Sequence, residues 1–176
     1  MFTSRMVPIA RVAEGHYDSH VLDHMQAATR VALELPERIA GVVLTASTEL
    51  PVAAGLSSSA ALCLAAVTAL DGLDGGRPDI TRACRVARRA EAGDLASGAG
   101  WMDFLGCAHG GVNRINAGDV PTVERIAPSL DIPVVVIDTL QRRTTTAVLA
   151  SKRARFWARE PAMVDYCREA GDLVVG

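Results

Sequence analysis

Pro51-Val-Ala-Ala-Gly-Leu-Ser-Ser-Ser-Ala60 stands at the join between two kinds of sequence. Before it, residues 42–50 are rich in β-branched side chains and predict a strand. After it, residues 58–70 run through Ala, Leu, Val and Cys with hardly a polar side chain, which predicts a helix buried on all sides. Gly55 lets the backbone turn where a side chain would obstruct a bound phosphate. Three serines then stand where the first helical turn begins, and the free N–H groups and positive dipole end of a helix favour an anion there. Their hydroxyls add donors, and one can serve as an oxygen ligand for Mg²⁺. Strand, glycine loop, helix start and hydroxyls are what a triphosphate site needs. The competing reading of Ser57, Ser58 and Ser59 is a plain N-cap cluster, since serine is a favoured cap. The lysine of a Walker loop is absent.

Outward from the loop, Val21, Met25, Ala28, Ala32 and Leu35 recur at four-and-three spacing, so residues 19–35 predict a helix closed by Pro36. Residues 81–96 predict another helix, with Gly98 and Gly100 opening a loop behind it. Strands are expected over 110–115 and 133–138, the second a continuous Val-Val-Val-Ile run that should be buried on both faces. Helices are expected over 144–157 and 162–174.

Composition narrows the function classes. Of 176 residues, 49% are apolar and 22% charged, enough to build a core and too apolar for wholesale disorder. Aromatics are only 4%, so that core must rest on Ala, Val and Leu. A net charge of −2 and pI near 6.1 give no basic footprint for nucleic acid or an anionic membrane. Cys63, Cys84, Cys107 and Cys167 are at least 21 residues apart, which fits reduced thiols in a cytoplasmic protein better than a metal or redox pair. The N-terminus has no signal pattern, and the apolar run 60–67 is too short to span a bilayer.

Two carboxylates follow the loop. In the helix over 81–96, Cys84, Ala87 and Glu91 trace the inward stripe, while Arg82, Arg85 and Arg89 share the other side. An inward carboxylate is costly unless neutralised, and a magnesium ion or an arginine would each serve. Asp103 stands in Gly100-Trp-Met-Asp103, within a glycine-rich loop where Asp is commonly a turn former.

The full string Pro-x-x-x-Gly-Leu-Ser-Ser-Ser-Ala resembles the central ATP-binding motif of the GHMP kinases, the superfamily of galactokinase, homoserine, mevalonate and phosphomevalonate kinases. Ala90-Glu91 … Gly100-Trp-Met-Asp103 is similar to the galactokinase pattern Ala-Glu … Gly-Ile-Met-Asp-Gln, with the acids twelve positions apart. The resemblance runs from about residue 20 onward. It implies ATP and Mg²⁺ as cofactors, with Pro51, Ala54, Gly55, Leu56, Ser57, Ser58, Ser59 and Ala60 around the nucleotide and Ser59 with Glu91 on the metal. Asp103 is then the catalytic base acting on the hydroxyl of a small substrate, a sugar in the galactokinase-like reading or a mevalonate-like alcohol in the next closest. The segment from Val134 to Thr145 looks like the strand and turn after the active-site loop of those kinases, and Arg142 or Arg143 would face substrate or solvent.

The implied fold is α/β (α+β): the ribosomal protein S5 domain 2-like N-terminal domain with its left-handed β-α-β unit over 1–125, and the start of a C-terminal domain over 126–176. The family's N-terminal arginine motif has only a faint counterpart in Arg11 to Asp18, its C-terminal glycine motif is missing, and Phe104 replaces the usual Gln. A chain cut at both ends is therefore expected. A catalytically inactive nucleotide- or sugar-binding sensor is the rival function. His16, His20 and His24, spaced by fours, offer a metal site only if a helix carries them; solvated histidines are the plainer expectation.

Overall fold

The apolar run behind the serine loop becomes the centre of the molecule. In the computed structural model, which describes residues 6–33, 42–75, 77–137 and 145–175, that run is a helix over Ser58–Asp71. Two helices precede it, α1 (Ile9–Glu14) and α2 (Asp23–Leu33), so the run is α3. Behind it come α4 (Ile80–Arg88), continued without a break by a π-helical turn over Arg89–Asp94, and α5 (Met102–His109). A hairpin of β1 (Val112–Asn116) and β2 (Thr122–Ala127) follows.

Helix α3 packs against α2, α4 and α5 at once. Ala60, Cys63, Leu64, Ala66, Val67 and Leu70 are all buried, which is why its sequence shows no polar face. The neighbours meet it with small side chains, Ala27, Ala28, Ala83, Ala87 and Ala90, each fully buried. Small residues let helix axes approach closely, so an aromatic-poor sequence still fills its interior. Phe104 supplies the one large fully buried ring of this cluster. Each fully buried Val, Leu or Phe side chain contributes about 1.5–3 kcal/mol of transfer free energy.

The local signals behave as their chemistry dictates. Asp79 caps α4 by accepting the N–H groups of Thr81 and Arg82. Asp23 opens α2 with its carboxylate accepting the N–H groups of Asp18 and His20. Met25, Ala28 and Ala32 form the buried stripe expected of α2. Val21 lies ahead of the helix and is exposed, and Leu35 and Pro36 lie outside the described residues.

Two expected strands are corrected. Residues 42–49 join no ladder: Val42 and Leu44 pack on the core while Val43 between them is 93% exposed. The period-two alternation is there, yet β1 and β2 pair only with each other, and no described strand accepts its hydrogen bonds. The run 133–138 is not a strand over its described part, and Val134, Val135, Val136 and Ile137 are exposed rather than buried on both faces. A continuous apolar run predicts burial only when two layers are present to cover it. The expected strand over 110–115 does form, as β1, antiparallel to a β2 the sequence reading missed. The described residues thus have mixed α/β character, without the left-handed β-α-β crossover among them.

The described chain divides into two compact units, one up to residue 141 and one from 142 on. The second consists of α6 (Thr145–Trp157) and α7 (Pro161–Val175), close to the two helices expected. Its turn is held by Arg155, whose guanidinium donates to both carboxylate oxygens of Glu160 at 2.6 Å. No described helix is long and apolar enough to cross a membrane.

Candidate functional site

The loop before α3 is built from backbone of alternating hand. Ala53, Gly55 and Ser57 all have positive φ, at 58°, 79° and 56°, with residues of the other hand between them. Such alternation turns successive N–H groups toward one concavity, the backbone device that binds anions. At Gly55 an added Cβ would meet nothing within 4 Å, so the glycine is required by its dihedral and the space above it is open. Ala53 and Ser57 adopt the left-handed region despite their Cβ, a local strain of about 1–3 kcal/mol each that surrounding contacts must hold.

The serines are not caps. Ser57 occupies the N-cap position of α3, but its side chain makes no cap hydrogen bond. Its Oγ donates instead to Asp103 Oδ1 at 2.9 Å, 46 residues away. Ser59 Oγ donates to Glu91 Oε1 at 2.8 Å. The first-turn amides of α3 are left without a capping side chain, free to meet an external anion. Pro51 and Leu56 are exposed around the loop, Ala54 is half-buried, Ser58 stands half-buried between its two bonded neighbours, and Ala60 is already core.

Glu91 lies on the inward stripe beyond Cys84 and Ala87, as expected, and is 7% exposed. The helix carrying it widens there: the N–H of Leu95 bonds the carbonyl of Ala90, and that of Ser97 reaches the carbonyl of Glu91. Wide turns of this kind cost hydrogen-bond geometry and are enriched at functional sites. The turn is braced from α2 by Arg30, which pairs with Asp94, and by Tyr17, whose hydroxyl donates to the same carboxylate at 2.9 Å. Burial first, and then the bond to Asp94, push the Tyr17 hydroxyl well above the usual tyrosine range. Sequence reasoning missed Tyr17 and Asp94. They lie 77 residues apart, and no local pattern links them.

Between the two neutralising partners left open for Glu91, the arginine finds no support. Among the described residues its carboxylate bonds Ser59 through one oxygen, and the other, Oε2, is buried with no hydrogen-bond partner. A buried carboxylate oxygen left unpaired is costly, and a hard cation at that oxygen would satisfy it. Ser59 and Glu91 supply the hydroxyl and carboxylate oxygens that Mg²⁺ prefers. Glu91 also bears on Cys63 of α3: burial first, and then the nearby carboxylate charge, hold that thiol well above its ordinary value.

Asp103 is not in a loop. It belongs to the first turn of α5, where a carboxylate meets the positive end of the helix dipole. It is exposed, while the next two residues, Phe104 and Leu105, are buried. The departure at Phe104 therefore points into the core, not into the site. Trp101, just before α5, is covered by the Arg88 guanidinium 4.5 Å from its ring centroid, which ties the start of α5 to α4.

Other expected features fall away from this constellation. His16 and His20 precede α2 rather than lining a helix face; His16 pairs with Glu14, and the His20 ring accepts the N–H of Leu22. Among the described residues no three His, Cys, Asp or Glu side chains gather as a metal site. Arg11 pairs with Asp18 on the surface. Arg142 and Arg143 lie outside the described residues.

Residues 7–111 match the family model described as GHMP kinases N terminal domain. The chain is also 28% identical over 158 residues to a mevalonate kinase of Pyrococcus horikoshii, an alignment that covers 89% of this chain and 45% of that protein. The chain thus spans less than half the length of that relative. No solved structure matches it.

Proposed function

We propose, from the premise that the chain belongs to the family of GHMP kinase N-terminal domains, that it carries the nucleotide and metal half of an ATP-dependent phosphotransferase acting on a small-molecule hydroxyl. The observation that carries this reading is the pairing of two loop serines with two carboxylates, Ser59 with Glu91 and Ser57 with Asp103, at the open N-terminus of α3. In this reading the site belongs to the nucleotide-binding domain expected over 1–125, with 126–176 as the start of the second domain.

The roles follow from position. The loop over 51–57 and the uncapped amides of α3 would hold the phosphates of ATP. Ser59 and Glu91 would hold Mg²⁺, which when bound neutralises charge on the phosphate oxygens. Asp103, exposed at the lip of the same loop, would accept the proton of the acceptor hydroxyl or orient it. Phosphoryl transfer asks a protein mainly for positioning and charge stabilisation, and these residues offer both.

Similarity to a mevalonate kinase supports a mevalonate-type acceptor; the Met102-Asp103 segment supports a sugar. The test is Mg-ATP consumption by the purified chain with mevalonate, galactose and related alcohols, alongside Asp103→Ala. Turnover with one acceptor, abolished in the variant, is the expected result. A second reading is a nucleotide-binding module without turnover, in which the same loop and carboxylates hold Mg-ATP and no phosphate is transferred. Mg-ATP binding with no turnover on any acceptor would favour it, and failure to bind Mg-ATP would overturn both.

A further inference from the structure

We infer that Ser57 is the positioning residue of Asp103 rather than a ligand of the phosphates, a role that rests on the phosphotransferase reading above. Three observations converge on it. First, its hydroxyl is already committed: Oγ donates to Asp103 Oδ1 at 2.9 Å, the one hydrogen bond of that carboxylate among the described residues.

Second, the backbone of Ser57 is set for this purpose. A capping serine is normally extended, so that its oxygen folds over the next helical amides. Ser57 instead has φ 56° and ψ 28°, a conformation that a residue with a Cβ seldom takes, and makes no cap bond. Turning the side chain away from the amides accomplishes two things together. The amides stay open to an anion, and the hydroxyl reaches across to α5.

Third, Asp103 needs an outside tether. The backbone of α5 is anchored by Phe104, fully buried, and Leu105, but Asp103 itself projects from the covered side into solvent. Packing fixes where its Cα stands and leaves its carboxylate free to swing. Among the described residues Ser57 alone restrains that swing by hydrogen bonding, and it does so from the loop expected to hold the phosphates. Reach of the carboxylate toward an acceptor hydroxyl is thereby coupled to the shape of the phosphate loop, and small misplacements of a reacting group cost rate steeply.

Two substitutions separate this role from a structural one. Ser57→Gly allows the left-handed backbone, relieves its strain and deletes the hydroxyl together with its Cβ. Ser57→Asn keeps both a donor and a residue type at home in that backbone region. The expected result in the full chain is that Ser57→Gly melts no lower than the parent. Its kcat falls by about 10- to 100-fold, its KM for Mg-ATP stays within about twofold of the parent, and Ser57→Asn recovers part of the loss. Unchanged kcat in Ser57→Gly, or a raised KM for Mg-ATP at unchanged kcat, would overturn the inference, the second by making Ser57 a nucleotide ligand. A readout without nucleotide keeps the two readings apart. Hydrogen exchange over 51–57 and the first turn of α5 is expected to speed up by a similar factor in Ser57→Gly, Asp103→Ala and the double variant. Equal factors with no turnover on any acceptor retain the tether and remove the kinase reading; multiplicative factors remove the tether whatever the activity.

Discussion

Two serine–carboxylate pairs, 2.8 and 2.9 Å long, flank the same helix start in opposite surroundings. Glu91 is sunk behind Ser59 on a widened turn, with one oxygen bonded and the other buried and unpaired among the described residues. Asp103 stands in solvent on the first turn of α5, held by Ser57. The bond is the same, and the environment assigns the task. A buried carboxylate with an unmet lone pair calls for a cation, whereas an exposed one can exchange a proton with whatever approaches.

The comparison is broken most severely at its exposed end. Asp103→Ala is expected to lower phosphoryl transfer by about 10²–10⁴-fold, the usual worth of a positioned acid or base, while Mg-nucleotide binding measured by calorimetry persists. Loss of binding along with turnover would place Asp103 on the nucleotide instead. Next comes Phe104→Ala, which removes the buried ring of the residue that follows Asp103 on α5. A loss of about 3–5 kcal/mol, read from urea midpoints, is expected if α5 depends on that ring, and a loss under about 1 kcal/mol would say it does not.

Glu91→Gln sharpens the contrast through a change of sign. Without metal the variant should be more stable than the parent by about 1–3 kcal/mol, since a buried, half-bonded charge has become neutral. Addition of Mg²⁺ and nucleotide should raise the melting temperature of the parent and leave that of the variant nearly unmoved. Equal response of both would remove Glu91 from the metal. The smallest effect is at alkaline pH. The folded Cys63 thiol is held above its ordinary value of 9.0 by burial and by Glu91. The unfolded chain therefore loses that proton first, and stability present below pH 9 declines above it, by about 1 kcal/mol near pH 9.5. In Cys63→Ala this part of the decline should vanish from denaturation curves.

Much of the site could be read in the sequence because its signals are local. The loop glycine, the apolar helix behind it and the inward stripe over Cys84, Ala87 and Glu91 all follow from spacing, and each stands where spacing put it. The pairing of Ser59 with Glu91 was expected from the motif, but the partner of Ser57 was not legible. A serine at a helix start reads as a cap, and only the positive φ of Ser57, invisible in a string of letters, turns it toward α5. Asp103 was read as a loop residue because the short α5 behind it is marked by Phe104 and Leu105 alone, too few for a period. The β-rich runs failed for the opposite reason. Val42 to Leu44 and Val134 to Ile137 carry strand-forming side chains, but a strand exists only with a neighbour to accept its hydrogen bonds.

The widened turn over Arg89–Asp94 fixes more than the place of one carboxylate. A turn of this width holds one residue more than an ordinary one, so removing a residue from it would restore regular winding and turn the side chains within the stretch onto other faces. Asp94 would swing off its bracing by Tyr17 and Arg30. Over this stretch the chain can exchange letters more easily than it can change their number. Insertions and deletions should be tolerated in the exposed tip of the β1–β2 hairpin around Gly118 and rejected between Arg88 and Leu95.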